Sequence, residues 1–178
     1  VLSRKRASEG LYPAIDPLQS NSKMATPGIV GERHYALAQA VRRTLAQYAE
    51  LKDIIAMLGL EQLSPEDRKV VARARRLERF LTQPFFTTEQ FSGLQGKLVG
   101  LNDALDGCER ILRDEFADYP ERALYMIGTI DEAKGTPAAA PQETAAQLAP
   151  ETHATTGPTP VAGPPVHVTS GTHSTPGE

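Results

Sequence analysis

A long run of regularly spaced apolar residues between positions 31 and 58 constrains the fold more than any other feature. Successive members of the run are 4, 4, 3, 3, 4 and 3 residues apart, which places all of them on one face of an α-helix. Gly59 follows at a position where glycine commonly ends a helix. The run therefore predicts a long amphipathic helix that buries one face against other elements. Its members are Leu37, Val41, Leu45, Tyr48, Leu51, Ile55 and Leu58.

Three shorter helical patterns follow. Ser64 and Pro65 give the second helix an N-cap hydroxyl and a proline at its first position, and Pro84 ends it. A third pattern runs from about residue 102 to 116, and a short fourth begins near Pro120. Helices joined by short loops, without alternating strand patterns, predict an all-α helical bundle. The apolar faces comprise Val70, Ala74, Leu77 and Leu81, then Leu105, Cys108, Leu112 and Phe116, then Ala123, Leu124 and Ile127.

The two ends of the chain differ from the helical region, which we place at residues 28–135. Residues 1–27 carry prolines at 13, 17 and 27, which favour extended or turn backbone, so we expect an irregular but ordered segment. Residues 136–178 hold 8 of the 14 prolines and 9 threonines, with no Lys, Arg, Phe, Tyr or Trp. Such a stretch buries too little apolar surface to offset its ordering entropy, and we expect a disordered tail. Because the chain begins with Val, we expect the natural protein to start upstream.

Charge and cysteine content exclude several classes of protein. All 19 Lys and Arg residues precede position 136, where they are matched by 19 acidic residues. A neutral folded region argues against a nucleic-acid partner. The single cysteine, Cys108, excludes an internal disulfide framework, and its apolar surroundings predict a buried, inert thiol. No apolar run reaches the roughly 18 residues that a membrane span needs, and no signal peptide is recognised.

The residues by themselves leave the functional candidates open. The arginines of the second helix alternate with acidic residues, which favours a solvated or subunit-facing surface over phosphate binding. Phe85 and Phe91 follow a proline-terminated helix. Core packing is the favoured role for such aromatic residues, and stacking on a flat ring is the alternative. The three histidines of the tail lack the spacing of a zinc site. We find no set of residues typical of a catalytic centre.

Several segments resemble the β subunit of rotary F-type ATP synthases. The matching segments include residues 13–22 (PAIDPLQSNS), 51–56 (LKDIIA), 79–85 (RFLTQPF) and 125–133 (YMIGTIDEA). The resemblance extends over residues 1–134. It implies that the chain is the C-terminal helical domain, preceded by the end of the nucleotide-binding domain. It further implies that the phosphate loop and the magnesium ligands lie upstream, so that this chain alone does not hydrolyse ATP.

The resemblance also implies which residues meet nucleotides. Tyr12 matches the tyrosine that packs against the adenine of the catalytic nucleotide, and Phe85 and Phe91 match the two phenylalanines that complete that pocket. On this ground, ring stacking replaces core packing as the expected role of both phenylalanines. Tyr35 matches the tyrosine that reaches the non-catalytic nucleotide at the interface with an α subunit. ATP or ADP with Mg²⁺ is the implied ligand of the complete subunit, and no catalytic residue or metal ligand is expected in this chain.

A third implied feature is the lever loop, residues 61–67, which in the family pushes on the γ subunit during rotation. The family usually has Asp-Glu-Leu-Ser-Glu-Glu-Asp here, and this sequence lacks two of the acids. Steric pushing by a stiff helical hairpin needs less charge, so the mechanical role survives this change. The residues of the lever loop are Glu61, Gln62, Leu63, Ser64, Pro65, Glu66 and Asp67.

The implied setting is a ring of three α and three β subunits around γ. Such a complex is peripheral to the cytoplasmic side of the bacterial plasma membrane and couples ATP synthesis or hydrolysis to proton or sodium transport. The tail and several local differences suggest the divergent second bacterial copy of the subunit. Two other hypotheses remain open from the residues: a stand-alone helical interaction module without a nucleotide role, and a nucleic-acid binder that uses its basic helix.

Overall fold

The computed structural model describes residues 1–135, so the predicted tail lies outside the described residues. Within that range the all-α prediction is confirmed, and the extended structure consists of one isolated antiparallel bridge between Leu2 and Ile15. The α-helices are α1 (Arg4–Ser8), α2 (Pro27–Val30), α3 (Glu32–Leu58), α4 (Pro65–Phe80), α5 (Glu89–Ser92) and α6 (Leu101–Leu112). Short 3₁₀ turns occupy Leu60–Gln62, Phe86–Thr88, Glu121–Leu124 and Ile130–Gly135.

Helices α3 and α4 form a long helical hairpin. Helix α3 contains 27 residues and ends at Gly59, whose φ of 83° suits a residue without a side chain. Helix α4 begins as the sequence predicts, because the Ser64 hydroxyl accepts a hydrogen bond from the Asp67 amide at 3.1 Å. The same hydroxyl donates to the Asp67 carboxylate at 2.7 Å. The start of α4 is therefore fixed by side chains of the loop itself.

The core lies where α3, α4 and α6 pack together. Residues 113–135, which follow α6 and are called the C-terminal segment, cover these helices. Helices α4 and α6 approach closely at Gly107, since a Cβ built there would lie 2.1 Å from the Phe80 ring. The most deeply buried large side chains are Phe116, Leu77, Ile111, Leu124 and Val71. This arrangement confirms the predicted helical bundle. None of the helices among residues 1–135 has the length and apolarity needed to cross a membrane.

The predicted apolar face of α4 is wrong at its ends. The helix buries Val71 and Phe80, and Leu81 is 42% exposed. Helix α4 ends at Phe80, four residues before Pro84, in a turn where the Thr82 amide and hydroxyl both donate to the Arg79 carbonyl oxygen. Ala74 and Leu77 are buried as predicted, whereas Val71 and Phe80 take the places expected for Val70 and Leu81.

The third predicted helix is shorter than its pattern. Helix α6 ends at Leu112, and Asp114 has a left-handed φ of 63°. Phe116 is 1% exposed, so it reaches the core from the following turn and not from the helix. The sequence pattern does not distinguish a Phe116 on the helix from a Phe116 on the turn after it, because both place the ring on the same side of the bundle.

The N-terminal segment is ordered, as expected, and includes a helix that the sequence analysis missed. Its short helix, α1, is capped by Ser3, whose hydroxyl accepts from the Arg6 amide. Arg6 then pairs with Glu78 of α4 at 3.1 Å. The Arg42 guanidinium of α3 donates to three carbonyl oxygens of residues 17–20, at 2.6–3.0 Å. These charged contacts tie the segment to the helical hairpin.

Candidate functional site

Tyr12 and Phe85 line one apolar cavity of about 190 Å³, although 73 residues separate them in sequence. Their exposed fractions are 43% and 38%, so both rings have surface available to a ligand. Phe85 lies outside the buried core cluster, which does not fit a core-packing role. We call this cavity the ring pocket. Its lining residues are Tyr12, Gln83, Pro84, Phe85, Thr88, Ser92, Leu94 and Met126.

The ring pocket is suited to an uncharged flat group. None of the described residues that line it carries a charge, and its hydroxyl groups come from Thr88 and Ser92 besides Tyr12. Drug-sized ligands occupy pockets of about 300–1,000 Å³, so a cavity of about 190 Å³ fits a ring system and leaves a charged tail outside. Aromatic faces hold such a ring by stacking, without attracting anionic groups.

Hydrogen bonds from Gln83 hold two parts of the ring pocket together. The Gln83 amide donates to the Tyr12 carbonyl oxygen at 2.8 Å. The Gln83 side-chain amide donates to the carbonyl oxygen of Lys97, at the far end of the loop that follows Phe85. Gln83, which precedes Pro84 and Phe85, thus positions Tyr12. The ring pocket therefore depends on tertiary contacts and not on one local motif.

Phe91 is not brought to the ring pocket in this structure. Its side chain is 90% exposed and is absent from the lining residues. It lies on α5 between Gln90 and Ser92, and its neighbour Ser92 lines the cavity. Two of the three adenine-pocket residues implied by the resemblance therefore converge. A stand-alone interaction module predicts that these side chains are scattered through a core, which does not describe Tyr12 and Phe85.

Tyr35 borders a different cavity, of about 480 Å³, at the start of α3. The lining is more polar here and includes His34, Gln39 and Arg42. The Arg42 guanidinium already donates to the carbonyl oxygens of the N-terminal segment. The structure thus places Tyr35 in a cavity separate from the ring pocket.

The lever loop lies at the tip of the α3–α4 hairpin, where most of its residues are exposed. Leu63 is the exception, with 5% exposure, and its carbonyl oxygen accepts from the Arg68 side chain at 3.0 Å. Next to the loop, Met57 and Leu58 are 75% and 63% exposed. The prediction that Leu58 lies on a buried face is wrong, because α3 extends past the elements that cover its apolar stripe. The tip therefore exposes both apolar and charged side chains.

The arginines of α4 are engaged within the chain. Arg73 forms a bidentate pair with Asp114, whose pKa the guanidinium holds below its usual range through these hydrogen bonds. Arg75 pairs with Glu121 at 3.2 Å, and Arg76 donates to carbonyl oxygens of the segment after α6. These contacts join α4 to the C-terminal segment and do not form a row of free cations of the kind that binds phosphates.

Cys108 behaves as the sequence predicts. It lies on α6 in the core of the bundle, where its side chain is 6% exposed. Burial raises the pKa of the thiol to about 11. A thiol with such a pKa is almost entirely protonated near neutral pH and is a poor nucleophile. Cys108 therefore has a packing role.

Comparisons with known proteins identify the family of this chain. The family described as "C-terminal domain of V and A type ATP synthase" matches residues 23–120. The "ATP synthase subunit beta 2" of Albidiferax ferrireducens is 89% identical over 135 residues, which cover 76% of this chain and 26% of that protein. The "ATP synthase subunit beta 1" of Marinomonas sp. is 86% identical over 133 residues, 75% of this chain and 27% of that protein.

A further "ATP synthase subunit beta 2", from Polaromonas naphthalenivorans, is 87% identical over 134 residues, covering 75% of this chain and 28% of that protein. The chain thus spans about a quarter of the length of the curated relatives that it matches. The family match extends over more than half of the chain, and the resemblance to ATP synthase β subunits is confirmed. The chain belongs to the ATP synthase C-terminal domain family.

Proposed function

We propose that the chain forms the C-terminal part of a catalytic ATP synthase β subunit and holds the adenine ring of ATP or ADP in the ring pocket. The observation that carries this proposal is the convergence of Tyr12 and Phe85 on one uncharged cavity. High identity to proteins named ATP synthase subunit beta supports it. Residues 1–27 are then the end of the nucleotide-binding domain, and residues 28–135 the C-terminal helical domain.

The proposed division of labour follows from the chemistry of the pocket. Stacking and dispersion hold the adenine ring, while the phosphates and Mg²⁺ are bound by the remaining part of the subunit. Binding energy at the ring, remote from the reacting phosphate, contributes to positioning the phosphates for transfer to or from water. The chain alone is therefore expected to lack ATPase activity. Phe91 is proposed to complete the pocket once a ring is bound, and Tyr35 to reach the non-catalytic nucleotide at the α-subunit interface.

The tip of the α3–α4 hairpin is proposed to contact the γ subunit. Its exposed loop, the adjacent exposed Met57 and Leu58, and the capped start of α4 support this role. A stiff hairpin can push a neighbouring shaft when domain closure follows nucleotide binding. In the proposed setting, a ring of three α and three β subunits lies peripherally on the cytoplasmic side of a bacterial plasma membrane. Rotation of γ within the ring couples ATP chemistry to proton or sodium transport.

The assignment of adenine to the ring pocket is tested by measuring equilibrium binding of ATP to the complete complex carrying Tyr12→Ala or Phe85→Ala. Loss of one stacking aromatic costs roughly 1–3 kcal/mol, so we expect each variant to weaken binding by about 5- to 150-fold. Leu98→Ala is a matched control, because Leu98 is 90% exposed and does not line the ring pocket. Unchanged ATP affinity in both aromatic variants would contradict the proposal.

A further inference from the structure

Met126 supplies a wall of the ring pocket that no aromatic motif identifies. It comes from the segment after the Glu121–Leu124 turn, more than 30 residues beyond the other lining side chains. Its backbone has a φ of 56°, in the left-handed region that residues with a side chain rarely adopt. Met126 itself lies outside the buried core cluster, to which its neighbours Leu124 and Ile127 belong.

A buried hydroxyl holds Met126 in this conformation. The Met126 amide donates to the Thr82 hydroxyl oxygen at 2.9 Å. Thr82 is 3% exposed, and its hydroxyl donates to the Arg79 carbonyl oxygen at 2.5 Å. A hydroxyl has one proton to donate, so this second bond leaves the oxygen lone pairs of Thr82 to accept from Met126. The direction of both hydrogen bonds is therefore fixed.

The residue before Met126 is tied to the segment that carries Tyr12. The Tyr125 hydroxyl donates to the Gly10 carbonyl oxygen at 2.7 Å. The Arg79 guanidinium lies 5.3 Å from the centre of the Tyr125 ring, within cation–π range. The end of α4 thus anchors the Met126 segment twice, through Thr82 and through Arg79. The same segment bonds the backbone two residues before Tyr12.

We propose that Met126 contacts the bound ring directly and that Thr82 is a positioning residue that acts through Met126. This inference rests on the proposed function of the ring pocket. A thioether is polarisable and makes favourable contacts with aromatic rings, so it suits a wall beside a nucleobase. Thr82 itself does not line the ring pocket, and its contribution comes from holding the Met126 backbone.

The test uses the complete complex with two probes, ATP and inorganic tripolyphosphate, which has the phosphates but no ring. We expect Met126→Ala to weaken ATP binding by about 2- to 12-fold, the range of a sulfur–aromatic contact, with tripolyphosphate binding unchanged. Thr82→Val keeps the shape of the side chain and removes the hydroxyl. It is expected to weaken ATP binding similarly, and Thr82→Ser, which keeps the hydroxyl, to restore it.

Each alternative outcome is distinct. Equal losses for ATP and tripolyphosphate in Thr82→Val, or no restoration by Thr82→Ser, would overturn the positioning role and leave Thr82 with a structural one. Normal ATP binding by Met126→Ala, alongside weak binding by Tyr12→Ala, would overturn the Met126 contact and leave the proposed function intact. Normal ATP binding by both Tyr12→Ala and Met126→Ala would remove the proposed function as well.

Discussion

The two ends of the α3–α4 hairpin are stabilised in different ways. At the base, Leu45 and Leu77 are 2% and 0% exposed and pack against α6 and the C-terminal segment. At the tip, Met57 and Leu58 of the same α3 helix are largely exposed, and local hydrogen bonds of the lever loop hold the turn. The base is therefore stabilised by contacts within the chain, whereas the tip presents surface suited to a neighbour.

This difference matches the two proposed roles. The ring pocket adjoins the base, because Gln83, Pro84 and Phe85 follow shortly after α4. The lever loop occupies the tip, at the other end of the 16-residue helix α4, which spans roughly 24 Å at 1.5 Å per residue. Under the proposed function, the firmly packed base fixes the pocket and the helix carries a displacement of that base to the tip. Four substitutions separate the two ends, with effects that decrease in the order given.

Leu77→Ala probes the base and has the largest expected effect. Leu77 is fully buried in the core cluster, so truncation leaves a cavity and should lower the free energy of unfolding by about 2–5 kcal/mol. Urea denaturation followed by far-ultraviolet circular dichroism measures the change. A loss below about 1 kcal/mol would mean that the base can collapse around the cavity and is not tightly packed.

Ser64→Ala probes the junction between the tip and α4. The Ser64 hydroxyl accepts from the Asp67 amide, and removal of such a cap costs about 1 kcal/mol. The same denaturation experiment should show this smaller loss, with faster hydrogen exchange at the first turn of α4. Ser64→Thr is the control, since its hydroxyl can also accept from the Asp67 amide and donate to the Asp67 carboxylate, and it should retain most of the stability.

Asp114→Asn probes a charged contact at the base. Hydrogen bonds from Arg73 lower the pKa of Asp114 in the folded protein, so the ion pair stabilises the fold above the unfolded pKa of about 3.9 and is lost as pH falls through the folded pKa. Because the pair is partly exposed, its contribution near neutral pH is about 0–1 kcal/mol. Asparagine tolerates the left-handed backbone, so the variant isolates the charge. The stability difference between wild type and variant should shrink in acid, and a difference that is constant with pH would contradict the assignment.

Leu58→Ala is the counterpart of Leu77→Ala at the tip. The same chemical change at a side chain that is 63% exposed should alter the free energy of unfolding by no more than about 0.5 kcal/mol. In the assembled complex, however, ATP-driven rotation should slow if the tip bears on γ. A loss of stability comparable to that of Leu77→Ala would show that the tip is stabilised within the chain.

The sequence predicts the fold best where a signal is local. The period of α3 and the Ser64–Pro65 start of α4 are visible in sequence because spacing and capping depend on near neighbours. The end of α4 at Phe80 is not, because Pro84, the local signal that marks a helix end, lies four residues beyond it. Helix α1 was missed for a related reason: it has five residues, no apolar period, and contacts such as Arg6–Glu78 that only the fold creates.

The candidate site shows the same limit. Tyr12 and Phe85 were found through resemblance to a family, since neither stands in a pattern that marks a ring-binding residue. Met126 and Thr82 lie within segments that resemble the family, but neither residue type marks a ring-binding role. Their relation to the pocket appears when three segments, distant in sequence, meet beyond the end of α4. The exposure of Leu58 is likewise not visible in the sequence, because the apolar period of α3 continues past the elements that could cover it.

The most direct test of the contrast between base and tip is hydrogen exchange along α3 in the complete subunit, free and in the assembled complex. In the free subunit, we predict slow exchange of the amides at residues 41–48 and faster exchange at residues 54–62. On assembly, protection should rise at the tip and stay unchanged at the base. Equal protection along α3 in the free subunit, or no gain at the tip on assembly, would contradict the account.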